Sequence, residues 1–386
     1  MYKRNLVFAA ACLGMLLFGM VFLSLGTVFT FITSKYGVSE LTAASLASLL
    51  PIGILAGSVV FGPVVDRFGY KILLIVCSIF ILIAFEGIAF AGSFTILQFS
   101  FFLIGFGGGA INGGTNALVA DISTEEKGAN LSLLGVFFGI GALGMPVVLG
   151  SLTKAYSYES IIAGIGLTIV LPVIYFIAVK FPSPKVAQGF PIKQSFTLIK
   201  ESALILMGFV LFFESGVEGI VGNWTTKYLN QGVGLSVENA LYALSAQVVA
   251  LTITRLVLGF LLKKLPSYIV LYICIAIGTI GSIFLMTATT MTMAVVGLAL
   301  LGVGFSATFP VVLGYVGNIY SALSGTAFSI AIVIALIGNT LLNYLVGVIS
   351  NSYGITNFPV VLLISFILMA IVFSIVLRKI SHKTKI

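Results

Sequence analysis

The chain has 386 residues, of which 60% are hydrophobic and only 8% are charged, and its mean hydropathy is +1.22. A soluble protein of this size carries about 25% charged residues, so this composition excludes a soluble globular fold. Apolar runs of about 18 residues or more indicate helices that cross a membrane, and such runs fill almost the whole chain. The sequence therefore predicts an all-α polytopic membrane protein.

The charged and reactive residues argue against an enzyme. The chain has 19 basic and 11 acidic residues, an excess that in a membrane protein indicates topology rather than nucleic-acid binding. The one histidine, His382, lies in the basic tail, and Cys12, Cys77 and Cys274 lie in apolar segments without metal-ligand spacing. We therefore expect no metal, no cofactor and no catalytic residues.

Proline, glycine and charged residues divide the chain into twelve predicted membrane spans. The first begins close to the N-terminus and lacks a convincing cleavage site, so we interpret it as a retained helix rather than a signal peptide. The predicted spans lie near residues 5–33, 43–65, 72–91, 94–121, 128–153, 159–180, 203–228, 237–262, 267–288, 291–318, 322–349 and 357–377.

The longest polar stretch, rich in proline and lysine, separates the sixth span from the seventh. We therefore expect a six-helix bundle at 1–180, a linker at 181–200 and a second six-helix bundle with a basic tail at 201–386. With the N-terminus in the cytoplasm, every basic residue except Lys35, Lys154 and Lys227 falls on the cytoplasmic side. Both termini are then cytoplasmic. Short loops and tails favour a bacterial inner membrane, and we expect a monomer.

The two halves of the sequence are similar at a constant offset of 197 residues. LIGFGGG at 103–109 aligns with LLGVGFS at 300–306, and further glycines align without a gap, including Gly62 with Gly259 and Gly141 with Gly338. Two parallel six-helix repeats are typical of a large transporter class, in which the substrate site lies between the repeats near the bilayer midplane.

The loop after the second span reads GPVVDRFGYK, with the motif residues Gly62, Asp66, Arg67, Gly69 and Lys71. This pattern resembles the loop signature of the major facilitator superfamily. Glycine permits close helix approach, and the aspartate can accept hydrogen bonds from a helix N-terminus. Asp121, Glu125 and Glu126 add acids on the same predicted face, within reach of Arg67 or Lys71. We interpret the motif and Asp121 as a cytoplasmic gate without contact to substrate.

Three segments resemble the fucose–galactose–glucose:proton symporter family: GFGGGAINGGTNALVAD from Gly105, EKGANLSLLGVFFGIGALGMPVVLG from Glu126 and ESGVEGIVGNWTTKYL from Glu214. The resemblance implies transport of a monosaccharide with a proton. That family is expected to carry an acid in its first and fourth helices. Here the first span has no acid and the fourth offers Asn112 and Asn116, so proton coupling would require other groups.

Glu214 and Glu218 are the acids best placed for that task. Glu214 lies about 18 Å along the seventh span, close to mid-membrane, and Glu218 follows one turn later on the same face. Acids at this depth usually face a polar interior and mark transport paths. The alternative is a structural pair bonded to a neighbouring helix. We favour Glu218 for proton coupling and substrate contact, because it belongs to the E-G-x-x-x-x-W pattern, with Glu214 assisting.

Uncharged polar residues in the spans form the candidate solute site. Trp224 can stack on the apolar face of a sugar while amides bond its hydroxyl groups, although a membrane-interface anchor or helix packing are the alternatives. Arg255 has no acid nearby in sequence and is expected to brace its helix, and Glu86 is expected to be solvated or capping. The candidate amides are Asn112, Asn116, Asn223, Gln247, Asn339 and Asn343.

Together these features predict a secondary active transporter that moves a small neutral polar solute by alternating access, with proton symport. A second hypothesis is a proton-coupled exporter of drugs or amphiphilic metabolites, which the 32 phenylalanines would suit. A third is a nutrient sensor on a transporter scaffold. The expected partners are the solute, protons and the lipid bilayer.

Overall fold

The computed structural model describes residues 2–36, 40–123, 127–153, 155–185 and 197–383. Within these ranges it is helical, and twelve spans are long and apolar enough to cross a membrane. The predicted fold class is therefore confirmed. The α-helices are α1 (Arg4–Tyr36), α2 (Glu40–Phe68), α3 (Tyr70–Phe90), α4 (Phe94–Ile122), α5 (Lys127–Leu152), α6 (Tyr158–Thr168), α7 (Val170–Ala178), α8 (Ser202–Lys227), α9 (Val237–Leu261), α10 (Ser267–Met286), α11 (Met291–Ser306), α12 (Thr308–Ile319), α13 (Ser324–Tyr353) and α14 (Phe358–Lys383).

Two predicted spans are interrupted in the structure. The sixth span consists of α6 and α7, and the tenth consists of α11 and α12. Each break lies near a proline, Pro172 or Pro310, that stands four residues after the last residue of the first segment, Thr168 or Ser306. A proline ring clashes with the carbonyl four residues earlier and cannot donate to it, which accounts for both breaks.

By contrast, α2 continues through Pro51 and Pro63. Because Pro63 has no N–H, the carbonyl of Val59 lacks its usual helical donor. The Ser329 hydroxyl lies 3.1 Å from that carbonyl oxygen and also donates to the carbonyl of Ser58. A side chain from α13 thus supplies the hydrogen bond that the helix cannot make.

The chain divides into two compact units. Unit 1 comprises Met1–Ile122, Leu134–Ser195 and Tyr320–Ser329, and unit 2 comprises Ser123–Leu133, Phe196–Ile319 and Ile330–Ile386. In unit 1, α4 packs against α1, α2 and α3, and in unit 2, α11 packs against α9 and α10. The helices α5 and α13 each contribute residues to both units.

The internal repeat is visible in individual helix contacts. In unit 1, a Cβ built on Gly105 would lie 2.3 Å from the carbonyl oxygen of Leu50. In unit 2, a Cβ on Gly302 would lie 2.3 Å from that of Gln247. Both residues of the second contact lie 197 positions after those of the first. The duplication is therefore one of packing geometry, and these glycines serve close helix approach as expected.

Candidate functional site

Four of the predicted polar residues form one hydrogen-bonded group in unit 2. The Oδ1 of Asn343 accepts from the Nδ2 of Asn223 at 2.9 Å and from the Nε1 of Trp224 at 3.1 Å. The Nδ2 of Asn343 in turn donates to the carbonyl and side-chain oxygens of Asn339, at 2.8 and 3.1 Å. We call Asn223, Trp224, Asn339 and Asn343 the amide cluster; it joins α8 to α13.

The amide cluster exists because glycines bring α8 and α13 close together. A Cβ on Gly338 would lie 2.2 Å from the carbonyl oxygen of Phe212, and a Cβ on Gly219 would lie 2.4 Å from the Nδ2 of Asn339. The same Nδ2 donates to the carbonyl of Ser215 at 2.9 Å. Small residues at these positions let polar side chains bond across two membrane helices.

Trp224 is held in a defined orientation. Its indole N–H is fixed by Asn343, its six-membered ring lies next to Gly347, and the Lys227 ammonium lies 5.4 Å from the ring centroid. The side chain is half-buried, whereas Asn223 beside it is exposed. An oriented aromatic plane next to an accessible amide can bind a solute that has both apolar and hydroxyl surfaces.

Glu214 is the most unusual polar residue of unit 2. It is 1% exposed, and neither carboxylate oxygen has a hydrogen-bond partner among the described residues. Glu218 and Arg255 lie within electrostatic reach of it. A buried ionised carboxylate without a partner is costly, so a proton or a neighbouring cation must compensate its charge.

Arg255 and Glu218 are the charged residues that interact with Glu214. Arg255 is 9% exposed, and its Nε has no hydrogen-bond partner in the described part of the chain. Its carbonyl accepts from the Ser132 hydroxyl at 2.7 Å, which braces α9 against the start of α5. Arg255 forms no ion pair with an acid of the seventh span among the described residues, although it lies within electrostatic reach of Glu214. Glu218 is half-buried.

The other predicted amides lie apart from the amide cluster. Gln247 in α9 is buried, and its side chain makes no hydrogen bond within the described ranges. In unit 1, the Nδ2 of Asn116 donates to the carbonyl and side-chain oxygens of Asn112, at 2.8 and 3.1 Å. These two residues therefore share a face of α4, as their spacing predicts.

The predicted gate residues lie in unit 1. The Asp66 carboxylate is fully buried and accepts from the backbone N–H of Gly325 at 3.3 Å, and from the N–H and hydroxyl of Thr326 at 2.9 and 2.7 Å. These donors belong to the first turn of α13, where unpaired N–H groups and the helix dipole favour an anion.

Two motif glycines have clear steric roles. A Cβ on Gly62 would lie 2.7 Å from the carbonyl oxygen of Gly325, so a larger residue would push α13 away from Asp66. Gly69 has a φ of 83°, in the left-handed region that favours glycine. It forms the turn between α2 and α3, and Pro184 packs against it.

Asp121 has partners that the sequence did not suggest. It forms an ion pair with Lys185 at 2.8 Å and accepts hydrogen bonds from the hydroxyls of Tyr70 and Ser324. Lys71, which we expected within reach of Asp121, instead donates to carbonyl oxygens at the end of the sixth span, at 2.6 and 3.3 Å. The Arg67 guanidinium lies 5.6 Å from the ring of Phe68.

The remaining predicted residues lie apart from these sites or outside the described residues. Glu86 is half-buried, and its Oε1, which has no hydrogen-bond partner among the described residues, lies close to Gly166 of α6. Glu125, Glu126, Lys154 and linker residues 186–196 are outside the described ranges, as is the side chain of His382.

Sequence reasoning missed Lys185, Ser324 and Thr326. Lys185 was grouped with the linker, where one lysine among several gives no signal. The run SALSGT from Ser321, by contrast, carries the residue types that favour a helix N-terminus, and it could have identified the partner of Asp66.

A cavity of about 580 Å³ in unit 1 contains none of the candidate residues. It lies among α1, α5 and α6, with mostly apolar walls that include Leu16, Met20, Ile140, Met145 and Val148. Such a surface suits a lipid chain or an apolar compound better than a polar solute.

Comparison with known proteins agrees with this architecture. The family model described as Major Facilitator Superfamily matches residues 11–341, and the chain therefore belongs to that superfamily of membrane transporters. No curated protein sequence matches. The structure is similar to that of the transporter FucP in the outward conformation, with a TM-score of 0.77, 17% identity, and coverage of 96% of this chain and 97% of FucP.

A second similar structure is the proton:xylose symporter XylE bound to 6-bromo-6-deoxy-D-glucose. The TM-score is again 0.77, with 16% identity and coverage of 96% of this chain and 94% of XylE. At these identities the similarity establishes the fold. The chain is thus a transporter rather than an enzyme, and alternating access follows from the superfamily fold.

Proposed function

We propose that this transporter moves a small neutral polar solute, with a monosaccharide as the best candidate, by proton symport. The observation that carries the proposal is the amide cluster on α8 and α13, in which an oriented tryptophan adjoins exposed and half-buried amides. Neutral amides both donate and accept, and this matches hydroxyl groups. Two proteins of similar structure, the fucose:proton symporter FucP and the proton:xylose symporter XylE, support the same solute class.

Within this proposal, Glu214 holds the coupled proton and Glu218 exchanges it. Glu214 is enclosed and has no hydrogen-bond partner in the described structure, so its ionised form lacks stabilisation from neutral donors. Glu218, one turn further along α8, is half-buried and gives a route between the enclosed acid and water. Asn112, Asn116 and Gln247 are proposed as further solute ligands.

The arrangement of the chain in the membrane is also proposed rather than observed. The distribution of basic residues favours cytoplasmic termini and two functional six-helix bundles, 1–180 and 201–386, joined by a cytoplasmic linker. The gate residues around Asp66 and Asp121 would then lie at the cytoplasmic face. We further propose a monomer in a bacterial inner membrane.

The test is uptake by the purified protein in liposomes. Labelled hexoses, pentoses and small amides are supplied with and without an inward proton gradient. We expect gradient-stimulated uptake of a sugar. Glu214→Gln should abolish the stimulation but retain exchange of labelled for unlabelled solute, and Glu218→Gln should slow the stimulated phase. Glu201→Gln makes the same chemical change before the first turn of α8 and should leave uptake unchanged.

The alternative outcomes are distinct. If the rate of uptake is the same with and without the gradient, and the same in both variants as in the wild type, proton coupling is contradicted and the protein is a facilitator. Solute binding without flux would support the sensor hypothesis. If no neutral solute is bound or transported, the exporter of amphiphilic compounds becomes the better candidate. The apolar cavity among α1, α5 and α6 has a volume suited to such compounds, and binding of lipophilic cations would be the direct assay.

A further inference from the structure

Lys185, just after the sixth span, uses all three donors of its ammonium group. The Nζ lies 2.8 and 2.9 Å from the two carboxylate oxygens of Asp121 and 2.6 Å from the carbonyl oxygen of Ser321, and it also donates to the hydroxyl of Ser324. An ammonium group has three N–H donors, so this surrounding satisfies Lys185 fully. Only 22% of its side chain is exposed.

The partners of Lys185 are consistent with one another as donors and acceptors. The hydroxyl of Ser324 accepts from Lys185 and donates its own proton to Asp121 at 2.7 Å. The hydroxyl of Tyr70 donates to the other carboxylate oxygen. Charge-assisted bonds of this kind are stronger than neutral ones, and here they join α3, α4 and the start of α13.

The backbone around Lys185 holds the side chain in place. Its N–H donates to the carbonyl oxygen of Asp66 at 3.0 Å, and the preceding Pro184 packs against Gly69. The side chain of the same Asp66 binds the first N–H groups of α13. The segment containing Lys185 and the first turn of α13 therefore both bind Asp66, close to the C-terminal end of α2.

We propose that Lys185 is a positioning residue that holds the first turn of α13 and sets how readily this turn detaches during the transport cycle. The first residues of α13, Ser324–Ser329, belong to unit 1 together with the turn before them, which starts at Tyr320. The rest of α13 belongs to unit 2. A change of packing during alternating access therefore involves this turn. The proposal rests on the transport function, and it adds a control element that lies outside the motif residues and the solute site.

Hydrogen–deuterium exchange of the full-length protein tests the proposal without a solute. Lys185→Met removes the charge but keeps the length of the side chain. We expect the amides of residues 324–329 to exchange about tenfold faster in this variant, because charge-assisted hydrogen bonds are lost. Lys185→Arg should restore slow exchange. Lys180→Met removes an exposed lysine just before the same segment and should have no effect.

Transport measurements supply a second readout once a solute is known. Lys185→Met should change the maximal uptake rate with little change in half-saturating concentration, because the described side-chain partners of Lys185 are Asp121, Ser321 and Ser324 rather than residues of the amide cluster. If Lys185→Met fails to fold, Lys185→Gln, which removes the charge but keeps an N–H donor group, serves in its place. Unchanged exchange in residues 324–329, or equal acceleration by Lys180→Met, would overturn the proposal. Altered exchange without sugar uptake would leave it standing and reject only the proposed solute.

Discussion

The amide cluster yields a prediction that a single tryptophan makes measurable. Asn343 accepts the side-chain donors of Asn223 and Trp224 and donates to Asn339. The change Asn343→Ala removes all of these bonds at once. Polar bonds between membrane helices contribute about 0.6 kcal/mol each on average, so the two bonds from α8 predict a loss of about 1 kcal/mol of stability.

Trp224 is the only tryptophan in the chain, and its fluorescence therefore reports on this site alone. Once its N–H loses Asn343, the indole should become more mobile and more accessible. We expect stronger acrylamide quenching, lower fluorescence anisotropy and a lower melting temperature. Thr340→Ala is the matched control, because Thr340 lies in the same helix and, among the described residues, its hydroxyl bonds only to the carbonyl of Leu336 at 3.0 Å.

The refuting result is equally definite. If Asn343→Ala leaves quenching and anisotropy as in the wild type, Asn343 does not orient the indole, and the amide cluster loses its role as a preorganised solute surface. A fall in melting temperature with unchanged fluorescence would indicate helix packing alone, which is the alternative that the sequence left open for these amides.

Two further predictions use pairs of glycines that differ in their surroundings. Gly219→Ala should raise the quenching of the tryptophan, since the new Cβ would lie 2.4 Å from the amide of Asn339, whereas Gly222→Ala meets open space and should be neutral. Gly141→Ala should cost about 1–3 kcal/mol of stability, because its Cβ would lie 2.0 Å from a backbone carbonyl of α1. Gly144→Ala is the matched control in thermal unfolding, because no described residue lies within 4 Å of its Cβ, and equal melting temperatures for the two variants would contradict this reasoning.

Hydropathy was sufficient to predict the membrane spans, because each must carry a long apolar run to cross the bilayer. It could not place the breaks within the sixth and tenth spans. Prolines occur both at those breaks and inside the continuous helix α2. Whether a proline interrupts a helix depends on what satisfies the carbonyl that it leaves free. For Pro63 that group is Ser329, about 270 residues away in the sequence, and periodicity cannot reveal it.

The polar residues of the candidate site and of the gate could also be predicted only in part from the sequence. Depth along the seventh span places Glu214 close to mid-membrane, but only the structure shows that Glu214 is the enclosed acid and that Glu218 is half-buried. The bond from Asn223 to Asn343 depends on how α8 and α13 pack, so residue types alone could not predict it. The sequence also could not predict the ion pair of Asp121 with Lys185. Several lysines could pair with this acid, and only the tertiary structure shows which one does.

The contrast between the amide cluster and Glu214 bears on how solute and proton could be coupled. The amides are already bonded to one another, so a solute bound there as proposed would meet a fixed surface, and little ordering would be needed on binding. Glu214 is enclosed without a hydrogen-bond partner in the described structure, and Arg255 lies within electrostatic reach. Its charge state must therefore change the balance of charge inside unit 2. A solute site that stays fixed while a neighbouring charge changes is a physical basis for coupling, because the proton can alter which packing is stable without altering the groups that contact the solute.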